Sequence, residues 1–361
     1  MATPNTTSSL PELVLFTYPE SVFGRRLTRY LNLRSLPYTP IRVPPNMPRP
    51  LLDRLSIKHR RIPILAVGRD IYIDTRLIIR KLEVLFPDSS VHLALGAKSG
   101  FEKGLEEMLE SWVIDAGPFW RTAGCLPVQA PLLKDDVWMK DRFDGSGGAF
   151  TLEGLKENRA WCISQLRIFF GFMENLLSDG RNWVLGGDGP GLTDVHGAWV
   201  FDWAVNMAAD IFVAAGEKEA AMGDMDRVLS EEEFPKVHGW VKSFRDECER
   251  AEKQNVGVRQ CGEGQEAEDN VVRNILGSGY AEPQELPFGT DDILGLNKGQ
   301  YVSIAPADFG FAHADIGTLV GLSRNEVVIE VAVQAGKEEN LRLHFPRIGF
   351  KIVPADKGNS N

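Results

Sequence analysis

Between Leu13 and Pro87 the chain alternates short apolar runs with amphipathic segments in the order β-α-β-α-β-β-α, and this order is its strongest constraint. Leu13 to Thr17 (LVLFT) reads as a buried strand. Ser21 to Leu33 places Phe23, Leu27, Tyr30 and Leu31 at helical spacing, with arginines on the other face. Pro37 to Val43 suits an edge strand, because a proline cannot donate to a ladder on both sides. After a Pro-rich connection and a short helix (LLDRLSI), Ile62 to Val67 and Ile71 to Ile73 flank a turn at Gly68 to Asp70 and form a hairpin. Asp74-Thr75 caps a helix that stops at Pro87. So many elements in about 75 residues make a compact α/β unit.

From Leu95 to Lys253 strand signals vanish. Helical periodicity covers Phe101 to Phe119, Glu153 to Leu177, Thr193 to Ala215 and Phe234 to Lys253, while Arg121 to Thr151 is irregular and rich in Gly, Pro and Asp. A polar, Gly-rich stretch from Gln254 contains one short helix (VVRNIL) and reads as a linker. Five strand signals then crowd the end: Tyr301 to Ala305, Gly317 to Leu322, Glu326 to Val333, Leu341 to Phe345 and Phe350 to Val353. The expected architecture is therefore multidomain: a compact α/β domain at 12–88, an all-α helical domain at 95–255, a linker at 256–298, and a small SH3-like β-barrel at 299–355.

Composition narrows the function classes. Forty Lys and Arg against 50 Asp and Glu give a net charge of -10, which argues against nucleic acid or an anionic membrane as the main partner. The polar first twelve residues lack the apolar core of a signal peptide, and Asp202 and Asp210 interrupt the most apolar stretch. Cys125, Cys162, Cys248 and Cys261 form no C-x-x-C pair and have no histidine at zinc-ligand spacing, so they read as free thiols in a reducing compartment, with no metal. A cytoplasmic location is the expectation.

The chemistry-bearing residues cluster in the first unit. A strand ends at Thr17-Tyr18 and a helix starts near Ser21, so helix N–H groups and dipole point at whatever occupies the turn. Pro63, at the start of a hairpin strand, suits a cis peptide bond. Asp74-Thr75 supplies a carboxylate, a hydroxyl and a second helix N-terminus. Ser21 also reads simply as a helix cap, and Arg60 and Arg61 as solvated charges. Neither His59 nor His196 has a metal partner in the sequence pattern.

LFTYPESVFGRR, RRIPIL and the Asp74-Thr75 pair, in this order and spacing, resemble the thioredoxin-like N-terminal domain of cytosolic glutathione transferases, which implies that fold for the domain at 12–88. GLTDVHGAWVFDW and FPKVHGWVKSF resemble helices of that family's all-helical domain, with Asp194 in the capping position and Gly191 where a Ser or Thr is usual. The likeness covers roughly residues 12 to 255 and is greatest to fungal glutathione-transferase-like proteins with an appended C-terminal domain. It implies that Ser21, with Tyr18 as a second hydroxyl, activates the glutathione thiol. It also implies that Ile62 and cis-Pro63 receive the cysteinyl main chain, and that Asp74 and Thr75 hold the γ-glutamyl end. Arg49 or Lys58 would meet the glycyl carboxylate, although the loop departs from the family's usual pattern. Trp112, Phe119 and Trp120 are candidates to line the acceptor pocket.

A thiol of pKa about 8.5 is mostly protonated at neutral pH, and its thiolate is the nucleophile. A hydroxyl donating to sulfur beside a helix N-terminus favours the anion. The leading expectation is an enzyme with glutathione as cosubstrate and an apolar electrophilic small molecule as acceptor, in detoxification or secondary-metabolite tailoring. A glutathione-dependent cis-trans isomerase and a non-catalytic binding or regulatory module are the alternatives. The resemblance leaves a homodimer open.

Overall fold

The computed structural model describes residues 12–213, 223–289, 292–333 and 339–356. In chain order the elements are β1 (Leu13–Thr17), α1 (Val22–Leu33), β2 (Thr39–Arg42), α2 (Pro50–Arg54), β3 (Ile64–Val67), β4 (Asp70–Ile73) and α3 (Thr75–Leu85). The helices that follow among the described residues are α4 (Gly100–Asp115), α5 (Pro118–Ala123), α6 (Asp136–Gly145), α7 (Leu152–Leu176), α8 (Leu192–Val205), α9 (Asp224–Val228) and α10 (Pro235–Gln254). The chain closes with α11 (Gln265–Gly277), β5 (Tyr301–Pro306), β6 (Asp315–Leu322), β7 (Glu326–Ala332), β8 (Asn340–Pro346) and β9 (Phe350–Pro354). These elements form two compact units, one of residues 1–24, 37–80 and 257–361, the other of 25–36 and 81–256.

The first unit is organised by one nine-stranded sheet of order β2-β1-β3-β4-β8-β7-β6-β5-β9. β1 runs parallel to β2, with Phe16 opposite Ile41, and antiparallel to β3, with Phe16 opposite Ile64. β3 pairs antiparallel with β4, completing the thioredoxin-like arrangement. The sheet does not end there. β4 pairs in parallel with β8, placing Asp70 opposite Arg342 and Tyr72 opposite His344.

The expected SH3-like barrel is therefore not what forms. The last five strands extend the thioredoxin-like sheet, which stays open, with β2 and β9 at its edges. The apolar faces merge as well: Phe16, Ile64 and Ile73 share one buried cluster with Ile275, Ile304, Leu319 and Phe345. The physical reason lies at the β4–β8 seam. Asp70, fully buried, accepts from Arg342 Nε at 2.6 Å and Nη2 at 2.9 Å, from His344 Nε2 at 2.9 Å and from the Glu282 amide at 2.8 Å. Glu326 takes the other His344 nitrogen at 2.7 Å. Burial alone would raise the Asp70 pKa, but the hydrogen bonds from His344 and Arg342 outweigh it and hold the carboxyl below its ordinary value. Burial opposes charge on His344 too, and its two carboxylate partners still raise its pKa. Alternation identifies β8 as a strand, but only this pairing names its partner.

In the second unit α8 is the central element, buried on all sides from Leu192 to Ala204. Asp194 fixes its start: Oδ2 accepts the Gly191 amide at 3.0 Å, and Oδ1 accepts the Val184 amide at 3.0 Å and Trp240 Nε1 at 2.8 Å. A buried carboxylate with three donors does the work that a Ser or Thr cap would share. α8 is helical only to Val205. A π-helical turn follows at Ala209–Val213, and the rest of the expected helix, Ala214 onward, lies outside the described residues.

One further expectation changes here. The stretch Arg121 to Thr151 contains a 3-10 turn at Pro131–Lys134 and α6, which Asp135 caps by accepting the Val137 and Trp138 amides. Its sequence, DVWMKDRFDG, has too little apolar periodicity to announce a helix. Arginines in and just after α1 turn inward. Arg26 and Arg34 are fully buried, paired with Glu110 and Glu83, and Arg29 meets buried Asp202 at 2.7 Å. Among the described residues no helix is long and apolar enough to cross a membrane.

Candidate functional site

Strand register assembles the site. Phe16 stands opposite Ile64, and Ile64 opposite Ile73, so Tyr18, Ile62-Pro63 and Asp74 leave the sheet at the same end. The N-termini of α1 and α3 begin there too, adding two positive dipole ends. Six of the residues expected to act together, Tyr18, Ser21, Ile62, Pro63, Asp74 and Thr75, thus share one edge of the first unit. The Ile62–Pro63 peptide bond is cis.

Ser21 is buried, 5% exposed, and its Oγ accepts the Gly24 amide at 3.0 Å while its own amide donates to Tyr18 O at 3.1 Å. The cap reading is therefore real. It uses the oxygen as an acceptor and leaves the hydroxyl hydrogen to donate. Tyr18 is half-buried and packs against the sheet's apolar cluster. Asp74 adopts φ +72°, accepts the Arg76 amide on Oδ1 at 3.0 Å and supplies its carbonyl to the Ile78 amide at 3.0 Å. Thr75 and Arg76 are both buried at this corner.

The two glycyl-carboxylate candidates have other occupations. Arg49 is 2% exposed and donates to the carbonyls of Pro44 (2.9 Å), Pro45 (3.3 Å) and Arg60, clamping two loops together. Lys58 is exposed and pairs its Nζ with Asp53 at 2.8 Å. Arg60, expected to be solvated, is buried with its guanidinium 4.4 Å from the centre of the Phe309 ring. Arg61 donates to Phe309 O at 2.9 Å and pairs with Asp308.

The apolar candidates lie in the second unit and do not form one group. Trp112 packs against Phe169 (5.7 Å), Phe201 (6.2 Å) and Phe172 (6.3 Å). Phe119 instead meets Trp120 (4.9 Å), Trp199 (5.8 Å) and Trp203 (6.1 Å). Arg26 lies over the Trp199 ring at 5.7 Å and bonds Glu110 and His196 Nδ1 (2.5 Å). Trp199 and Trp203 carried no signal beyond a buried helix, so sequence reasoning missed them.

Gly24 was also missed. A Cβ there would stand 2.3 Å from Thr17 Oγ1 and 3.0 Å from Ser21 Cβ, so only glycine lets α1 start this close to β1. No spacing rule singles out a helical glycine that a neighbouring strand requires.

None of the four free cysteines is activated: burial pushes Cys125 and Cys248 up to about 12 and raises Cys162 and Cys261. Glu282, Glu326 and His344 bring ligand atoms within 4.8 Å of one another. Both His344 nitrogens already serve Glu326 and Asp70, so the group works as an ion-pair network at the sheet seam. A cavity of about 440 Å³ lies between the β1–β2 edge and α11, lined by Thr39, Cys261 and Asn270 among others, and includes none of the expected site residues.

Residues 15–90 match the family model for the glutathione S-transferase N-terminal domain. The match is a likeness of the first domain to glutathione S-transferases, over 76 of the 361 residues. A second model, a domain of unknown function (DUF7962), matches residues 121–253, much of the helical unit. No curated protein matches the chain in sequence. Among solved structures, a GST-like protein from Pseudomonas syringae aligns with a TM-score of 0.65 at 20% identity, covering 96% of this chain and 100% of that one, which is a likeness of fold. The β-etherase LigF from Sphingobium sp. aligns at 0.49 with 15% identity over 67% of this chain and 99% of that chain. A rice glutathione transferase solved with glutathione aligns at 0.46 with 17% identity over 74% of this chain and 96% of that chain.

Proposed function

We propose that the protein binds glutathione at the edge formed by Tyr18, Ser21, Ile62, Pro63, Asp74 and Thr75, and presents its thiolate to an apolar electrophilic small molecule. One observation carries the reading: these residues converge at one end of the sheet, beside two helix N-termini, within a segment that matches the glutathione transferase N-terminal domain. The Ile62 main chain before cis-Pro63 would receive the cysteinyl peptide, and the α3 N-terminus with Asp74 and Thr75 the γ-glutamyl group. The Ser21 hydroxyl hydrogen would donate to sulfur, helped by the α1 dipole. Each unit by which this lowers the thiol pKa is worth about 1.4 kcal/mol. Arg49 is assigned a structural role, as the clamp of the loop. A cytoplasmic location fits four free thiols whose pKa values burial raises.

Conjugation and reversible addition with cis-trans isomerisation use the same thiolate and differ only in the acceptor. A second reading, glutathione binding without turnover, is favoured by the burial of Ser21 and its use as a cap. Retention on immobilised glutathione, followed by assays of Ser21→Ala and Tyr18→Phe with an aryl halide electrophile, separates them. Retention with turnover lost in one variant supports catalysis. Retention with no thiol-dependent turnover by the wild-type chain supports binding alone, and no retention refutes both.

A further inference from the structure

The loop that leads into Ile62-Pro63 is held by the C-terminal strands of the same unit. Asp315, the first residue of β6 and 1% exposed, accepts the Lys58 amide on Oδ1 at 2.7 Å and also receives the His59 amide. Arg61 donates to Phe309 O and pairs with Asp308, and Phe309 lies under the Arg60 guanidinium. Gly310 completes the close approach. It adopts φ +77°, and a Cβ there would lie 3.4 Å from Arg60 Cβ. The His59 ring, 1% exposed, stacks on Phe350 at 5.8 Å and meets Phe345 edge-on at 6.2 Å. Every residue from 58 to 61 therefore contacts residues 308–350.

These contacts are costly to arrange. Both His59 nitrogens and Asp315 Oδ2 are buried with no hydrogen-bond partner among the described residues, and Nδ1 stands 4.0 Å from Oδ2. Burying three polar atoms unsatisfied opposes folding. An arrangement that needs only apolar packing would have used an aromatic residue at 59 and no acid at 315. What the acid supplies is an acceptor for two successive loop amides, which fixes the backbone path three residues before Ile62 and its cis bond.

We propose that residues 308–315 position the glutathione-binding edge, with Asp315 as the positioning residue: its carboxyl group holds the Lys58 and His59 amides, sets the path into Ile62-Pro63, and so governs affinity for the thiol peptide. This rests on the reading of the site given above. It assigns the C-terminal strands a part in ligand binding, although no residue beyond 90 lies in the segment that matches the glutathione transferase N-terminal domain.

The test uses the full chain. Calorimetric titration with reduced glutathione and steady-state kinetics with an aryl halide electrophile are compared for the wild type, Asp315→Ala, Asp315→Asn and Arg61→Ala. Amide hydrogen exchange at positions 58 and 59 is read in parallel. In Asp315→Ala, Kd and KM for glutathione are expected to rise about tenfold, the scale of one or two lost hydrogen bonds, while kcat at saturating glutathione stays within about twofold. Asp315→Asn keeps an acceptor oxygen and restores most of the affinity. Arg61→Ala weakens binding by a smaller factor. It carries the test together with Asp315→Asn if the alanine variant at 315 does not fold.

Wild-type affinity in Arg61→Ala or Asp315→Ala, with faster exchange at 58 and 59, overturns the proposal, because the loop has been released without consequence. A parallel fall in kcat with no rescue by asparagine overturns it as well, in favour of a general structural role. If the wild-type chain itself does not bind glutathione, the reading of the site fails first and this inference with it.

Discussion

The buried pair His59 and Asp315 makes a prediction about stability that is independent of any ligand. Burial pushes the Asp315 carboxyl up to about 7, against the pull of the Lys58 and His59 amides. Burial, reinforced by Arg61, Arg49, His313 and Arg60, drives His59 well below the ordinary histidine value. A carboxyl whose pKa is higher in the folded state stabilises the fold at low pH, and that contribution is lost as the pH rises through about 7. A histidine whose pKa is lower in the folded state does the opposite: its contribution is present above about pH 6.5 and is lost as the pH falls. In the wild type the two slopes oppose each other. Asp315→Asn removes one and exposes the other.

The magnitude follows from the Asp315 shift. With the unfolded pKa at 3.8 and the folded value about 7, moving from pH 8 to pH 5 stabilises the wild type relative to Asp315→Asn by about 3 kcal/mol, some two units at 1.4 kcal/mol each. Lys58, Arg49, Arg60, Arg61 and His313 face the pair in both proteins, so their own contributions cancel in the difference. Urea unfolding of the two proteins at pH 5, 6, 7 and 8 gives the difference directly. Asp315→Asn itself is expected to lose stability toward pH 5, because His59 is left uncompensated. A difference that stays flat between pH 5 and 8 would refute the reasoning, since it would mean that Asp315 is fully ionised across the range.

The other predictions concern the frame. Asp194→Ala strands three donors, the Val184 and Gly191 amides and Trp240 Nε1, and should lower the unfolding free energy by about 3–5 kcal/mol in urea, with Asp194→Asn losing less. Gly24→Ala gains up to about 1 kcal/mol of helix propensity, but its Cβ would strike Thr17 Oγ1. Net destabilisation of about 1–3 kcal/mol is expected, and a rise in Tm would contradict the close approach. Arg342→Ala leaves buried Asp70 with His344 as its remaining cationic partner. It should cost about 3–5 kcal/mol in chemical denaturation and release the amides of β4 and β8 to faster exchange together.

Much of the first domain was legible because its signals are local. LVLFT, the helix starting after Ser21, the IPIL strand and the Asp74-Thr75 cap each rest on a few adjacent residues, and their order alone places Tyr18, Ser21, Ile62, Pro63, Asp74 and Thr75 in sequence around one fold. The same locality explains the misses. α6 has weak periodicity because half of its residues are exposed, and nothing near Arg26 and Arg34 announces their burial, because their acids, Glu110 and Glu83, lie 84 and 49 residues away. Arg49 is a cation in the right loop, yet three carbonyls from that loop and its neighbour consume its donors.

By itself, then, the sequence determined that these strands and helices exist, and it carried the residues of the proposed thiol-binding edge. Which strands would meet was a tertiary decision. Five C-terminal strands alternate well enough to close on themselves. They join the first domain's sheet because Asp70, the last residue of a tight turn in sequence, meets Arg342 and His344, 272 and 274 residues later. A backbone ladder accepts any strand in the right register. The buried charges at the seam accept only the partner that neutralises them, and that complementarity is visible only once the chain has folded.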